Sequence, residues 1–300
     1  MIFFFHKKSQ IFCCLSFFLC SFLVAGTVLA GGMDVEPKPT IISLDKAWEN
    51  VLKNAEKNPL ISAQLKEKPF RSSLWFTSAK NFYRIQFYEE ALKKARDTKE
   101  HFDQAVKKAQ SSYDEDDENV TQFIITKLKL GLAEIKNRVA EFSSELEQSK
   151  VELGVLMGKN LFHPGLKIED PLKAVQFNYK SWEGFLKKNP GFFSHKNSLK
   201  QDENHNLFGN RNLELKVRSH QAFIRVLEAS KKMKSARKVN KSVRALMAME
   251  SSNYDLGLGD PVDLFESFLV HARYISVSLE SVYNFNVAVA EWRQVVGQTP

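Results

Sequence analysis

Tyr254-Asp255-Leu256-Gly257, a turn at Gly259-Asp260-Pro261, and then Val262-Asp263-Leu264-Phe265 join two long apolar heptad runs near the C-terminus. The second run closes at Val295-Val296-Gly297. About 140 residues earlier the chain shows the same order: Tyr113, an acidic stretch over 114–118, and a helix closing at Leu156-Met157-Gly158. Two helical hairpins at a fixed spacing are the mark of a repeat architecture rather than of an enzyme core.

The apolar pattern around these turns is helical. Tyr88, Leu92, Ala95, Phe102, Val106, Ala109 and Tyr113 alternate steps of four and three, with Lys99 as the one polar break. Leu128, Leu132, Ile135, Val139, Phe142, Leu146, Ser149, Leu153 and Leu156 repeat the rhythm, so the two segments predict an antiparallel hairpin reversing over 111–119. A third helix is predicted over 212–255, with Ala222, Val226, Ala229, Met233, Ala236, Asn240, Val243 and Met247 on its seam. The fourth, over 262–296, carries Phe265, Phe268, Ala272, Ile275, Leu279, Val282, Asn286 and Val289 on one stripe. A second stripe holds Val277, Ala288, Trp292 and Val295, so this helix is expected to meet neighbours on two sides, in a larger bundle or an oligomer. At 1.5 Å per residue it spans on the order of 50 Å.

Outside the hairpins the signals are shorter. Ser43 caps a helix that ends near Asn58-Pro59, and 60–71, interrupted by Pro69, reads as loop. Residues 172–186 read as a comparable short helix ending at Asn189-Pro190, and 191–206 as a Gly-, Ser- and Asn-rich mobile connector. The best strand candidates, 121–130 and 213–217, lie inside stronger helical patterns. The fold class is therefore all-α: two repeats of long antiparallel coiled-coil-like helical hairpins with little or no β structure. The expected divisions are a leader over 1–30, a first repeat with its short leading helix over 31–160, and a second repeat over 161–300.

The leader is read from Lys7 and Lys8, an apolar run over 11–24, and small residues through Ala30 ahead of Gly31-Gly32. This is the layout of a secretory signal peptide cut after Ala30; an uncut anchor is the rival reading. A lipid anchor is not expected, because Ser21 follows Cys20 where a lipobox needs other neighbours. Cys13, Cys14 and Cys20 all lie in this segment, so a cleaved chain has no cysteine and no disulfide. Cleavage also removes Lys7 and Lys8, taking the formal charge from +8 to +6.

The remaining positive charge is concentrated in 211–244, where eleven Lys or Arg face only Glu214 and Glu228. Two readings stay open: a solvated helix face, or contact with acidic headgroups or an acidic partner. Export removes nucleic acid as a partner. No paired His or His/Cys grouping has zinc-ligand spacing, and 114–118 lacks the turn glycine of a calcium loop, so neither metal nor cofactor is expected. Without a phosphate loop or nucleophile elbow, an enzyme is not expected either.

The C-terminal segment resembles the outer-membrane efflux protein family typified by TolC. The residues that carry the resemblance are the Tyr254-to-Gly257 turn, the Val262-Asp263-Leu264 helix start, Tyr283-Asn284-Phe285, the alanines at 272, 288 and 290, and the closing Val296-Gly297. Ser43-Leu44-Asp45-Lys46-Ala47-Trp48 is similar to the family's opening of the mature chain, and the twofold repeat is a family trait. The resemblance implies an exported homotrimer at the outer membrane or in the periplasm. It would be a passive tunnel working with a periplasmic membrane-fusion adaptor and an inner-membrane pump. It implies an adaptor-docking turn of Gly257, Gly259, Asp260 and Val262, and a pore constriction at Asp263 and Glu266. A carboxylate ring at a narrow pore attracts cations and repels anions; the same two residues also suit a helix N-terminus, where the backbone dipole favours negative charge. The chain departs from the family in length, in lacking placeable barrel strands, and in having Asp116-Asp117-Glu118-Asn119 where the first turn has Gly. The alternative reading is a barrel-less periplasmic helical scaffold or adaptor-binding protein. A surface or secreted coiled-coil adhesin fits the heptads but not the repeated Tyr-to-Gly pattern.

Overall fold

The computed structural model describes residues 40–115, 120–158, 166–168, 170–190, 192, 211–259 and 261–300. Residues 38–300 form one compact unit. The expected leader, most of the 191–206 connector, the acidic turn at 116–119 and Asp260 lie outside the described residues.

Ser43 caps α1 (Leu44–Lys57), its side chain accepting from Lys46 N–H, and α1 buries Ala47, Trp48, Val51 and Ala55. Residues 60–71 are not the loop expected. Asn58 Oδ1 accepts from the amides of Leu60 and Ile61 and starts α2 (Pro59–Gln64), with Pro59 at its first turn. Pro69 likewise lies in the first turn of α3 (Lys68–Asp114), where a missing N–H breaks no helical bond. Both prolines open helices rather than interrupt them.

At 47 residues α3 is about 70 Å long. It is followed by α4 (Gln122–Leu156), capped by Thr121, and by α6 (Arg211–Asp255) and α7 (Pro261–Val296) in the second half. Both strand candidates, 121–130 and 213–217, are helical apart from Thr121 itself. Among the described residues the β structure is one parallel pair, β1 (Thr40–Ile42) with β2 (Leu166–Ile168). No helix of the described residues is long and apolar enough to cross a membrane.

The expected helix over 172–186 is corrected in the same way. Only α5 (Trp182–Lys188), capped by Ser181, is helical, and 171–179 runs without helix. Asn286 on α7 is fully buried; its Oδ1 accepts from Val175 N–H at 2.9 Å and its Nδ2 donates to the Lys173 carbonyl at 2.8 Å. Those backbone groups are thus committed to a distant side chain instead of to a helix. Phe177 and Tyr179 then pack edge-on to Trp292 and Phe185 in an aromatic cluster under α5.

The four long helices pack in the order α4–α3–α7–α6, with α3 and α7 inside and α4 and α6 at the edges. The two-sided packing expected of the last helix is met by α6 on one side and α3 on the other. The two hairpins also share a register. Ser78, Phe82, Ile85, Leu92, Ala95 and Phe102 on α3 recur 141 residues on as Ser219, Phe223, Val226, Met233, Ala236 and Val243 on α6. Phe142 and Ser149 on α4 recur 140 residues on as Val282 and Val289 on α7. The matched arginines each reach an acid across their hairpin, Arg84–Glu152 at 3.3 Å and Arg225–Glu291 at 2.8 Å, although the two acids stand one residue out of that register.

Candidate functional site

The turn that ends the second hairpin is built by backbone geometry. Gly257 has φ +73°, a left-handed conformation that side-chain-bearing residues rarely adopt. Its N–H donates to the Tyr254 carbonyl, and Leu258 N–H donates to Asn253 at 2.9 Å, which together close α6 in a Schellman motif. Gly259 also donates to the Asn253 carbonyl, and a Cβ there would stand 2.8 Å from Tyr254 N, so the chain passes too close for any side chain. The turn is fixed at two points and then released into α7.

Fixing the glycines presents the residues between them. Leu256 and Leu258 are 70% and 81% exposed, forming an apolar tip on a rigid turn. Sequence reading assigned neither a role; their signal was a leucine on each side of Gly257, in a turn that projects them outward. Behind the tip, Lys108 on α3 sits 5.2 Å from the Tyr254 ring, tying the end of α6 to the first hairpin. Val262 is half-buried against the cluster of Phe102, Ile124, Leu128, Leu132, Ile135 and Phe265. Phe265 meets Phe102 edge-on at 5.5 Å.

Gly257, Gly259 and Val262 therefore gather at one end of the bundle. Asp263 is exposed in the first turn of α7, a position that serves the helix dipole whatever else it does. Glu266 is exposed one turn further on and is paired with Lys127 of α4 at 3.4 Å, a partner that sequence spacing did not reveal. That pair is exposed and weak, and it places a cation beside the carboxylate. Higher on α7, His271 is held below its ordinary value by burial and by the cations Arg244 of α6 and Lys94 of α3. Among the described residues no group of three His, Cys, Asp or Glu is placed to hold a metal ion.

No protein-family model matches the chain, and no curated protein matches it. Solved structures do share its fold. The outer-membrane channel OprN superposes with a TM-score of 0.63 at 10% identity, over 85% of this chain and 71% of its own. The outer membrane protein VceC of Vibrio cholerae gives 0.59 at 11% identity, over 83% and 76%. The CmeC outer membrane channel of Campylobacter jejuni gives 0.55 at 10%, over 84% and 68%. The TolC-type resemblance read from the hairpins thus holds at the level of the fold, which is an all-α array of repeated hairpins.

Proposed function

We propose that the chain is an exported subunit of an outer-membrane efflux conduit, assembling as a homotrimer whose long helices close a passive tunnel. One observation carries this reading. In the repeat, α3 corresponds to α6 and α4 to α7, so the α3–α7 contact inside the chain has a counterpart between α6 and α4 that a single chain does not make. Both edges carry exposed apolar residues for it: Val217, Ile224, Val239, Leu246 and Met249 on α6, and Phe123, Leu130, Val151 and Val155 on α4. Contact between copies, α6 of one against α4 of the next, satisfies both edges at once and makes a ring. The family resemblance supports three copies, with the two repeats, 31–160 and 161–300, as equivalent parts of each subunit.

Within that reading an inner-membrane pump supplies the energy. A periplasmic adaptor docks on the turn of Gly257, Gly259, Asp260 and Val262, with Leu256 and Leu258 as its apolar tip. Asp263 and Glu266 form the constriction at that mouth. The runner-up is a periplasmic helical scaffold without a barrel of its own, favoured by the brevity of β1 and β2 against the roughly ten residues of a membrane-crossing strand. Native mass measurement of the mature protein tests the assembly, with Val239→Glu and Leu246→Glu expected to release monomers. A wild-type monomer overturns the tunnel. A trimer that stays in the soluble periplasmic fraction and shows no bilayer conductance selects the scaffold.

A further inference from the structure

The two hairpins match in their buried seams and not in their charge. Residues 231–244 of α6 contain seven Lys or Arg and no Asp or Glu, whereas the matching residues 90–103 of α3 contain four of each. At the shared register Glu90, Asp97, Glu100 and Asp103 of α3 become Lys231, Lys238, Lys241 and Arg244 of α6. On α3 the charges neutralise one another, as in Lys99–Asp103 at 2.8 Å and Lys94–Asp97 at 3.7 Å. On α6, Lys232 pairs with Glu228. Among the described residues no Asp or Glu lies within ion-pair distance of Lys231, Lys234, Arg237, Lys238, Lys241 or Arg244.

Keeping a helix face wet takes charge of either sign, and α3 meets that need in the same register with no net charge. Uniform sign is a cost instead, since like charges three or four residues apart repel. Lys231, Lys234, Lys238 and Lys241 step by three, four and three, so they form a line along one exposed face, about 15 Å long at 1.5 Å per residue. Exposed Val239 and Leu246 lie roughly a third of a turn round α6 from this line, on the flank offered to a neighbouring copy.

We infer that this line is a docking strip for an acidic α-helix of a partner protein, laid alongside the C-terminal half of α6. The inference does not depend on whether the chain closes a tunnel. A helix with carboxylates at the same three-four steps meets each lysine in turn. A lipid surface fits less well. A membrane-lying helix sinks a broad apolar face into the headgroups, and the most apolar face of α6, through Ala222, Val226, Met233 and Val243, is already buried. Exposed ion pairs are weak singly; four in register give a contact that salt dissolves.

The test uses the mature chain and a fluorescein-labelled, helix-stapled synthetic peptide with Glu at three-four steps. Its variant carries Lys231→Glu, Lys238→Asp, Lys241→Glu and Arg244→Asp, which writes the acids of α3 into α6. Anisotropy is expected to show about tenfold weaker binding to the variant, loss of wild-type binding in high salt, and recovery of variant binding by a peptide with Lys in place of Glu. Glutamine at the same four positions replaces the variant should circular dichroism show that it is unfolded. Absence of peptide binding overturns the proposal and leaves a solvated face. Binding indifferent to salt and to charge reversal also overturns it. So does binding confined to phosphatidylglycerol vesicles, or a change in assembly mass in the variant, which would make the strip a contact between copies.

Discussion

In the first hairpin α3 is enclosed by α1, α4 and α7, whereas among the described residues its counterpart α6 packs chiefly on α7, with 172–186 and Phe192 over its first turns. The consequence is visible in the side chains: α3 buries fourteen residues, while among the described side chains of α6 six are buried. Yet the seams of the two helices match residue for residue at a spacing of 141. The repeat therefore fixes how each hairpin zips, and position in the array fixes how many further faces a helix can bury. The charges of the two helices differ, and the less enclosed helix is where the basic strip lies.

The sharpest break in the equivalence is at Asn286, which the repeat matches to Leu146 on α4. Leu146 packs in an apolar core; Asn286 holds Val175 N–H and the Lys173 carbonyl. Asn286→Leu makes the second hairpin like the first and leaves those two backbone groups without their partner. A loss of about 3 kcal/mol is expected in urea unfolding, a large share of a typical domain's stability. Hydrogen exchange is the local readout: the Val175 amide should lose protection. If it stays protected, Asn286 does not hold this segment.

A smaller difference separates the glycines that end α4 and α7. Gly158 and Gly297 have nearly equal φ, +67° and +72°, so alanine is strained at both by about 1 kcal/mol. Only Gly158 is crowded, because a Cβ there collides with the Asn54 side chain, which donates to the Val155 and Leu156 carbonyls. Gly158→Ala is expected to cost about 2 kcal/mol and to loosen α1 from the end of α4, while Gly297→Ala shows the conformational cost alone. Equal shifts in thermal midpoint for the two variants would mean that Asn54 does not clamp the first hairpin.

Local chemistry explains how much of this was readable beforehand. Heptad seams, the Ser43 cap and the closing glycines are set by residues within one or two turns of each other, and all were legible. Pro59 and Pro69 were misread because a proline that opens a helix and one that breaks it look alike without the flanking geometry. The 171–179 segment was misread as helix because Asn286, more than a hundred residues away, occupies its backbone groups. At the candidate site the glycines were readable as a helix stop, but the Lys127–Glu266 pair joins different hairpins and left no trace in spacing. The second apolar stripe marked α7 as an inner helix, but the matching seams of α3 and α6 did not tell which of those two lies inside.

The smallest expected effect concerns His271, matched by the repeat to Gly131. Burial, Arg244 from α6 and Lys94 from α3 all disfavour its charged form, holding its folded value below the ordinary 6.5. The unfolded chain therefore takes up this proton first as pH falls. By linkage the contribution is fully present above about pH 6.5 and is lost as pH falls through the depressed folded value. His271 keeps part of its solvent contact, so the change is modest. His271→Gln removes the titrating group and should leave neutral-pH stability nearly unchanged while flattening the decline between pH 7 and 5. Urea midpoints measured across that range decide it: a parallel decline in both proteins would show that burial and the cations from α6 and α3 do not hold this ring's value down. Adding Arg244→Gln to the native His271 should raise the folded value toward the ordinary one and flatten the decline only in part, because Lys94 and burial remain.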